Sequence, residues 1–180
     1  MPDAELELVT RRLGERLVHE QLAACYYGIL ACKAGALGAP AGGPGPEHLE
    51  ELVQEERHLA ELLRQTLIDL GGEPDRLRAL ESLEATVSAT RLLALVADPR
   101  RSVLASIEAL LVAELADRAS WDTLADLTAA FGRADLAERC RAARALEDRH
   151  VTQLRTWLAD RADPLRDVER EPGAEGGAAP

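Results

Sequence analysis

The chain has 180 residues, enough to bury the core of one domain, and hydrophobic residues make up 47% of it although aromatic residues make up only 3%. A composition rich in Leu, Ala, Glu and Arg favours helices over an all-β fold. The formal net charge of -11 argues against nucleic acid and anionic membranes as partners, because an acidic surface repels phosphate groups.

Glycine and proline divide the sequence into four long predicted helices. The first follows Asp3, a good N-cap residue, and the second begins at Pro46 and ends at Gly71. The third ends at Gly132, and the tight turn there predicts that the third and fourth helices are antiparallel neighbours. In chain order, the predicted helices are residues 4–34, 46–70, 99–131 and 135–160.

Four helices of similar length predict an all-α bundle in which they pack side by side. The segment of residues 73–97 is too long for a turn, so we expect it to cross the length of the bundle, with a short helix around residues 92–96. Residues 1–163 would then form one domain. Residues 164–180 are polar and rich in Gly and Pro, so we expect them to form a disordered tail.

The sequence also predicts a cytoplasmic protein. Its acidic N-terminus lacks the basic and apolar regions of a signal peptide, and no apolar run approaches the roughly 20 residues that span a bilayer. The three cysteines form no CxxC pair, which argues against a disulfide scaffold or a zinc ribbon. Cys25 and Cys32, both on the first helix, are interpreted as buried thiols.

Steps of three and four residues identify the inward face of each predicted helix. In the third and fourth helices, large apolar residues flank a polar interruption near the middle. The third-helix stripe is Val103, Ile107, Leu110, Glu114, Asp117, Trp121 and Leu124. The fourth-helix stripe is Leu136, Cys140, Ala143, Glu147, His150, Leu154 and Trp157. Burying an ionised carboxylate without a partner is costly, so these interruptions require an explanation.

The first and second helices supply matching carboxylates. The first-helix stripe is Leu6, Val9, Leu13, Leu17, Glu20, Ala24 and Tyr27. The second helix places Leu52, Glu55, His58 and Leu62 on one side. Four carboxylates at one level of a core would repel one another, whereas two divalent cations would balance their charge.

The histidines strengthen this prediction of a metal site. A Glu at position i and a His at i+3 lie on the same helical face, so both can reach one metal ion. The spacing occurs twice, as Glu55 with His58 and as Glu147 with His150, and di-iron bundles combine two such pairs with a Glu from each of two other helices. The predicted ligands are Glu20, Glu55, His58, Glu114, Glu147 and His150. The two remaining histidines, His19 and His48, are expected to be exposed.

These residues resemble the ferritin-like superfamily. The resemblance to ferritin and bacterioferritin is carried by Glu20 with Tyr27, by the string Gln54-Glu55-Glu56-Arg57-His58 and by Gly71-Gly72. The spacing of Glu114, Glu147 and His150 resembles bacterioferritin and rubrerythrin, and residues 113–131 resemble small bacterial ferritin-like stress proteins. The resemblance covers residues 4–160 and implies an up-down-down-up four-helix bundle with a long crossover between helices 2 and 3.

The resemblance also implies a role for each ligand. Glu55 and Glu147 would bridge two metal ions, Glu20 and Glu114 would each bind one, and His58 and His150 would each bind one through a ring nitrogen. Asp117 would be either a seventh ligand or a hydrogen-bond partner of the ligands. Tyr27 would be either a core residue with a hydrogen-bonded hydroxyl or an electron donor in catalysis.

Two iron ions, with manganese as the alternative, suit a set of carboxylate and imidazole ligands. The expected partners are O2 or hydrogen peroxide. Three classes of function follow: a ferroxidase or peroxide-consuming stress protein, a di-iron oxygenase or manganese catalase, and a bundle that only sequesters metal. A peroxidase would need an external electron donor, because the chain has no CxxC rubredoxin domain. We expect a monomer or homodimer, not a cage of about 24 subunits, because the tail lacks the apolar residues of the short C-terminal helix that ferritin cages use.

Overall fold

A computed structural model describes residues 3–39, 42–74 and 83–160, and it contains helices but no β-strand within these ranges. The prediction of an all-α fold is therefore confirmed. Its described helices of 15 residues or more are α1 (Asp3–Leu37), α2 (Pro46–Asp69), α3 (Leu83–Ala97), α4 (Val103–Ala130) and α5 (Ala134–Asp160), and the four long helices are α1, α2, α4 and α5. The predicted tail of residues 164–180 lies outside the described residues.

The helix ends follow the expected local chemistry. Helix α4 begins four residues later than predicted because Ser102 caps it, its side-chain oxygen accepting a hydrogen bond from the backbone N–H of Ala105 at 3.2 Å. Helices α2 and α4 both end before a glycine with positive φ, Gly71 at 79° and Gly132 at 73°. A left-handed residue there lets the next N–H groups bond back to the last turn of the helix.

Two helical hairpins, α1 with α2 and α4 with α5, make the most extensive helix contacts. The start of α1 shares a hydrophobic cluster with the end of α2, and the start of α4 shares one with the end of α5. Both hairpins are therefore antiparallel. The start of α1 also packs near the end of α4, so these two helices run in opposite directions.

Helix α3 lies within the long connection between α2 and α4 and contacts α1 and α4. The expected short helix around residues 92–96 is thus confirmed, and it is longer than predicted. Tyr26 of α1 donates its hydroxyl hydrogen to the carbonyl oxygen of Ala89 at 3.2 Å. None of the helices within the described ranges is long and apolar enough to cross a membrane.

The core consists of two hydrophobic clusters with a polar layer between them. Each of the four long helices contributes to both clusters, and its buried acidic residue lies between the two contributions. In α1, for example, Glu20 lies between Leu17 of one cluster and Ala24 of the other. The fold therefore brings the polar interruptions of four helices to one level.

Candidate metal centre

Helices α4 and α5 present the inward faces that the sequence predicted. Every residue of both predicted stripes is buried, including the polar ones. Glu114 is 3% exposed, Asp117 1%, and Glu147 and His150 are completely buried. On α1, Glu20 and Tyr27 are also completely buried. Six of the sequence-predicted residues on these helices therefore converge on the polar layer.

Helix α2 requires a correction. The sequence analysis placed Glu55 and His58 on its inward face, but the Glu55 side chain is 40% exposed and His58 is exposed. The inward position belongs to Glu56, which is 1% exposed. The reason is the register of the apolar residues, because alternating steps of three and four from Leu49 reach Glu56 and skip both Glu55 and His58. The buried residues on this register are Leu49, Leu52, Glu56, Leu59, Leu63 and Leu67.

The first group of potential ligands combines one residue of α2, one of α4 and two of α5. Glu56, Glu114, Glu147 and His150 each offer an atom, and these atoms lie within 4.8 Å of one another. The Nδ1 atom of His150 lies 3.0 Å from Oε1 of Glu56, 3.4 Å from Oε2 of Glu147 and 4.0 Å from Oε2 of Glu114. Three carboxyl groups thus surround one ring nitrogen.

The second group joins α1 to α4 and α5. Glu20, Asp117 and Glu147 offer carboxylate oxygens that also lie within 4.8 Å of one another. Glu147 belongs to both groups. Because a carboxylate has two oxygens, this residue is placed to contact two neighbouring cations at once.

Two basic residues that the sequence analysis did not select lie beside the second group. The guanidinium of Arg16 forms an ion pair with Oδ1 of Asp117 through Nη1, and the side chain is only 13% exposed. The Nε2 atom of His19 lies 3.3 Å from the same oxygen. His19 was expected to be exposed, but its side chain is 28% exposed, and burial followed by the charge of Arg16 lowers its pKa to about 3.

Two aromatic residues hold the carboxylates by hydrogen bonds. Tyr27 donates its hydroxyl hydrogen to Oε1 of Glu114 at 2.7 Å, and Trp121 donates its indole N–H to Oε1 of Glu20 at 3.1 Å. The expectation that Tyr27 is a core residue with a hydrogen-bonded hydroxyl agrees with this geometry. The sequence analysis treated Trp121 as a core filler, and its indole N–H has this further role.

Burial makes the charged state of these acids unfavourable. Desolvation raises the pKa of Glu20 to about 7 and raises the pKa values of Glu56 and Glu114 well above the usual range. Burial lowers the pKa of His150, but Glu147 and Glu56 beside the ring outweigh it and raise the pKa to about 11. Without a bound cation, the cluster therefore retains protons that an exposed cluster would lose.

The polar atoms of the cluster fit a metal ion. Within the described ranges, neither oxygen of Glu147 accepts a hydrogen bond, and the same is true of Oε2 of Glu20. Buried polar atoms normally have partners, so each such atom needs an explanation. A cation between the carboxylates would satisfy these oxygens and offset the repulsion among the acidic groups.

None of the three cysteines belongs to either candidate ligand group. Cys25 and Cys32 are exposed, which corrects the expectation that they are buried thiols. Comparisons of the chain with protein-family models, with curated proteins and with solved structures found no match.

Proposed function

We propose that the buried cluster binds two divalent transition-metal ions, iron by preference and manganese as the alternative. The observation that carries this proposal is the position of Glu147, which is completely buried, accepts no hydrogen bond within the described ranges and belongs to both ligand groups. Such a carboxylate would bridge two ions. Oxygen-rich ligands with an imidazole suit Fe(II) or Mn(II) better than structural zinc.

The proposed fold is a ferritin-like, up-down-down-up four-helix bundle with a long crossover between α2 and α4. The opposite directions of the helices in each hairpin, and of α1 and α4, support it. A buried acidic residue near the middle of each long helix supports it further, because di-iron bundles build their sites from such inward side chains.

Each ligand has a proposed role. Glu56, Glu114, Glu147 and His150 would hold the first ion, and Glu20, Asp117 and Glu147 would hold the second. This set takes Glu56 in place of Glu55, includes Asp117 and omits His58. Glu55 would act indirectly, because its Oε2 lies 2.8 Å from Nε2 of His150 and would orient the ring so that Nδ1 faces the ion.

The proposed activity is that of a ferroxidase or a peroxide-consuming stress protein. Two Fe(II) ions, when bound, supply one electron each, so the pair can deliver the two electrons that reduce hydrogen peroxide to water. The protein would fix the distance between the ions through Glu147 and exclude bulk water by burying the ligands. Repeated turnover as a peroxidase would need an external electron donor. A di-iron oxygenase, a manganese catalase and a metal-sequestering bundle are the other outcomes of the following test.

Anaerobic titration with Fe(II) should show two ions per chain. Stopped-flow mixing of the loaded protein with peroxide, and separately with O2, should then produce ferric absorbance in the near ultraviolet faster than free Fe(II) does in the same buffer. Faster reaction with peroxide supports detoxification, and faster reaction with O2 supports a ferroxidase or an oxygenase. Sustained O2 release from peroxide by the Mn(II)-loaded protein would identify a catalase. If the bound Fe(II) oxidises no faster than free Fe(II), metal sequestration is the function that remains.

The proposed assembly is a monomer or a homodimer. Light scattering of the purified protein would measure the mass directly. A particle of about 24 chains would contradict this part of the proposal and would indicate a storage cage.

A further inference from the structure

The second ligand group already contains a cation. Arg16 lies one helical turn before Glu20, so both side chains leave the same face of α1. Its guanidinium pairs with Asp117, and it lies close enough to Glu20 and Glu147 for their negative charges to act on it, although burial outweighs these charges and lowers the pKa of Arg16. These three acidic residues are the ones whose oxygens form the second group.

The first group has a different composition. It contains His150, whose Nδ1 can bind a metal ion once its proton leaves, whereas the second group offers only carboxylate oxygens. The two groups therefore differ both in ligand chemistry and in the cation that is already present. Two identical metal subsites are not expected from this arrangement.

A guanidinium and a divalent ion would compete for the same oxygens. Arginine does not lose its proton at ordinary pH, so its charge can leave the second group only if the side chain moves. A cavity of about 200 Å³ lies next to it between α1 and α4, lined by Arg16 together with Arg12, Glu15, Ser120 and Thr123. The carboxylate of Glu15, which already pairs with Arg12, and the hydroxyl oxygens of Ser120 and Thr123 offer hydrogen-bond acceptors to a displaced guanidinium.

We infer that Arg16 is an internal cation that holds the second subsite closed, so that the two ions bind in a fixed order. The first ion binds at Glu56, Glu114, Glu147 and His150. The second binds only when Arg16 moves away from Asp117 toward the cavity. This inference rests on the proposed metal site and adds a residue that controls its occupancy.

Titration with Mn(II) as the only added metal tests the inference. Calorimetry and electron paramagnetic resonance measure the binding of each ion. The wild-type chain should bind the first ion at least about tenfold more tightly than the second. Arg16→Gln should tighten the second ion by about tenfold or more and leave the first within about threefold, since removal of a nearby positive charge favours a cation. Arg16→Lys, which keeps the charge, should retain the weak second binding.

Arg141→Gln is the matched control. Arg141 lies on α5, its side chain is 55% exposed, it pairs with Glu138 at 3.7 Å, and it does not line the cavity beside Arg16. This variant should bind both ions as the wild type does. If Arg16→Gln leaves the second dissociation constant unchanged, or weakens both ions equally, Arg16 has only a structural role and the inference is overturned.

Two further outcomes separate this inference from the proposed function. If neither the wild type nor any variant binds Mn(II), the metal site itself fails, and the inference fails with it. If the wild type binds the first ion but Arg16→Gln does not change the second, only the inference fails. If metal-free Arg16→Gln is unfolded, the variant is refolded with Mn(II) and the loss of each ion to a chelator is timed. Slower loss of the second ion than in the wild type is expected, and equal or faster loss overturns the inference.

Discussion

His150 lies between two consecutive residues of α2, with its Nδ1 atom 3.0 Å from Oε1 of Glu56 and its Nε2 atom 2.8 Å from Oε2 of Glu55. Glu56 is buried and faces the cluster, whereas Glu55 is partly exposed at its edge. With a carboxylate at each nitrogen, the metal-free ring is stabilised in its protonated form. A metal ion at Nδ1 would take the place of that proton.

The first prediction distinguishes the roles of Glu55 and Glu56 in metal binding. Glu56→Gln should remove the first metal ion or weaken its binding by about 100-fold, because an amide replaces a buried anionic ligand. Glu55→Gln should weaken the same ion by only about tenfold, because Glu55 acts through His150. Anaerobic titration of both variants with Fe(II) or Mn(II) measures the difference.

His58→Ala is the control for this comparison. His58 is exposed, so its removal should leave both metal ions bound with wild-type affinity. If His58→Ala loses an ion and Glu56→Gln binds both ions normally, the ligand set predicted from the sequence motif is correct.

The second prediction concerns pH and the metal-free protein. A carboxyl group whose pKa is raised on folding binds more protons in the folded chain than in the unfolded chain at pH values between the two pKa values. The free energy of unfolding therefore falls as pH rises through that window. For Glu20 the window runs from 4.5 to about 7, and the raised pKa values of Glu56 and Glu114 act in the same direction. The raised pKa of His150 extends the fall toward higher pH. The lowered pKa of His19 acts in the opposite direction, but only between about 3 and 6.5, so it does not oppose the fall above that pH.

Urea denaturation with a chelator present checks this sign. The free energy of unfolding should be lower at pH 8 than at pH 5.5 by about 2 kcal/mol or more. Glu20→Gln should show a smaller pH dependence, because it removes one of the groups that titrate in this window. A metal-free wild-type protein that becomes more stable as pH rises from 5.5 to 8 would show that the buried acids are not protonated.

The sequence predicted the inward faces of α4 and α5 correctly because the apolar residues and the polar residues follow the same spacing there. Their apolar residues recur at steps of three and four, and the polar residues Glu114, Asp117, Glu147 and His150 lie on the same steps. On α2 two signals disagreed. The Glu-x-x-His spacing selected Glu55 and His58, whereas the apolar register selected Glu56, and burial of the leucines determined the rotation of the helix.

The basic residues near the second ligand group could not be found in the same way. Arg16 lies four residues before Glu20 and His19 lies one residue before it, but a charged or polar residue on a long helix is usually exposed. Only the packing of α1 against α4 shows that both contact Asp117. The approach of two helices that are distant in sequence leaves no local pattern.

The third prediction concerns the hydroxyl of Tyr27. Tyr27→Phe removes the 2.7 Å hydrogen bond to Glu114. Glu114 would be charged as a metal ligand, and a hydrogen bond to a charged group contributes about 1.5 to 3 kcal/mol. We expect the first metal ion to bind about tenfold more weakly and the second to be little changed. Metal titration measures both constants, and the rate of ferric absorbance shows whether Tyr27 also acts as an electron donor.

Tyr26→Phe is the matched control, because it makes the same chemical change one residue earlier on α1. The hydroxyl of Tyr26 donates to the backbone of Ala89, not to a ligand carboxylate. Equal effects of the two variants on metal affinity would mean that the bond to Glu114 does not position that ligand. Normal affinity with slower oxidation in Tyr27→Phe alone would favour the electron-donor role.

The last prediction links metal binding to stability through Glu147. A ligand that binds only the folded chain stabilises it by about 2.7 kcal/mol when its free concentration is 100 times its dissociation constant. For a chain of this size, that free energy corresponds to a rise in Tm of about 5 to 10 °C. The wild-type protein should show this rise with Mn(II) at neutral pH, and a chelator should reverse it. Glu147→Gln should lose most of the rise, because Glu147 belongs to both ligand groups. Glu138→Gln changes an exposed glutamate of the same helix and should keep the full rise. Equal Tm values for wild-type protein with and without saturating Mn(II) would show that the cluster is an acidic core stabilised by protons and Arg16, with no metal ion.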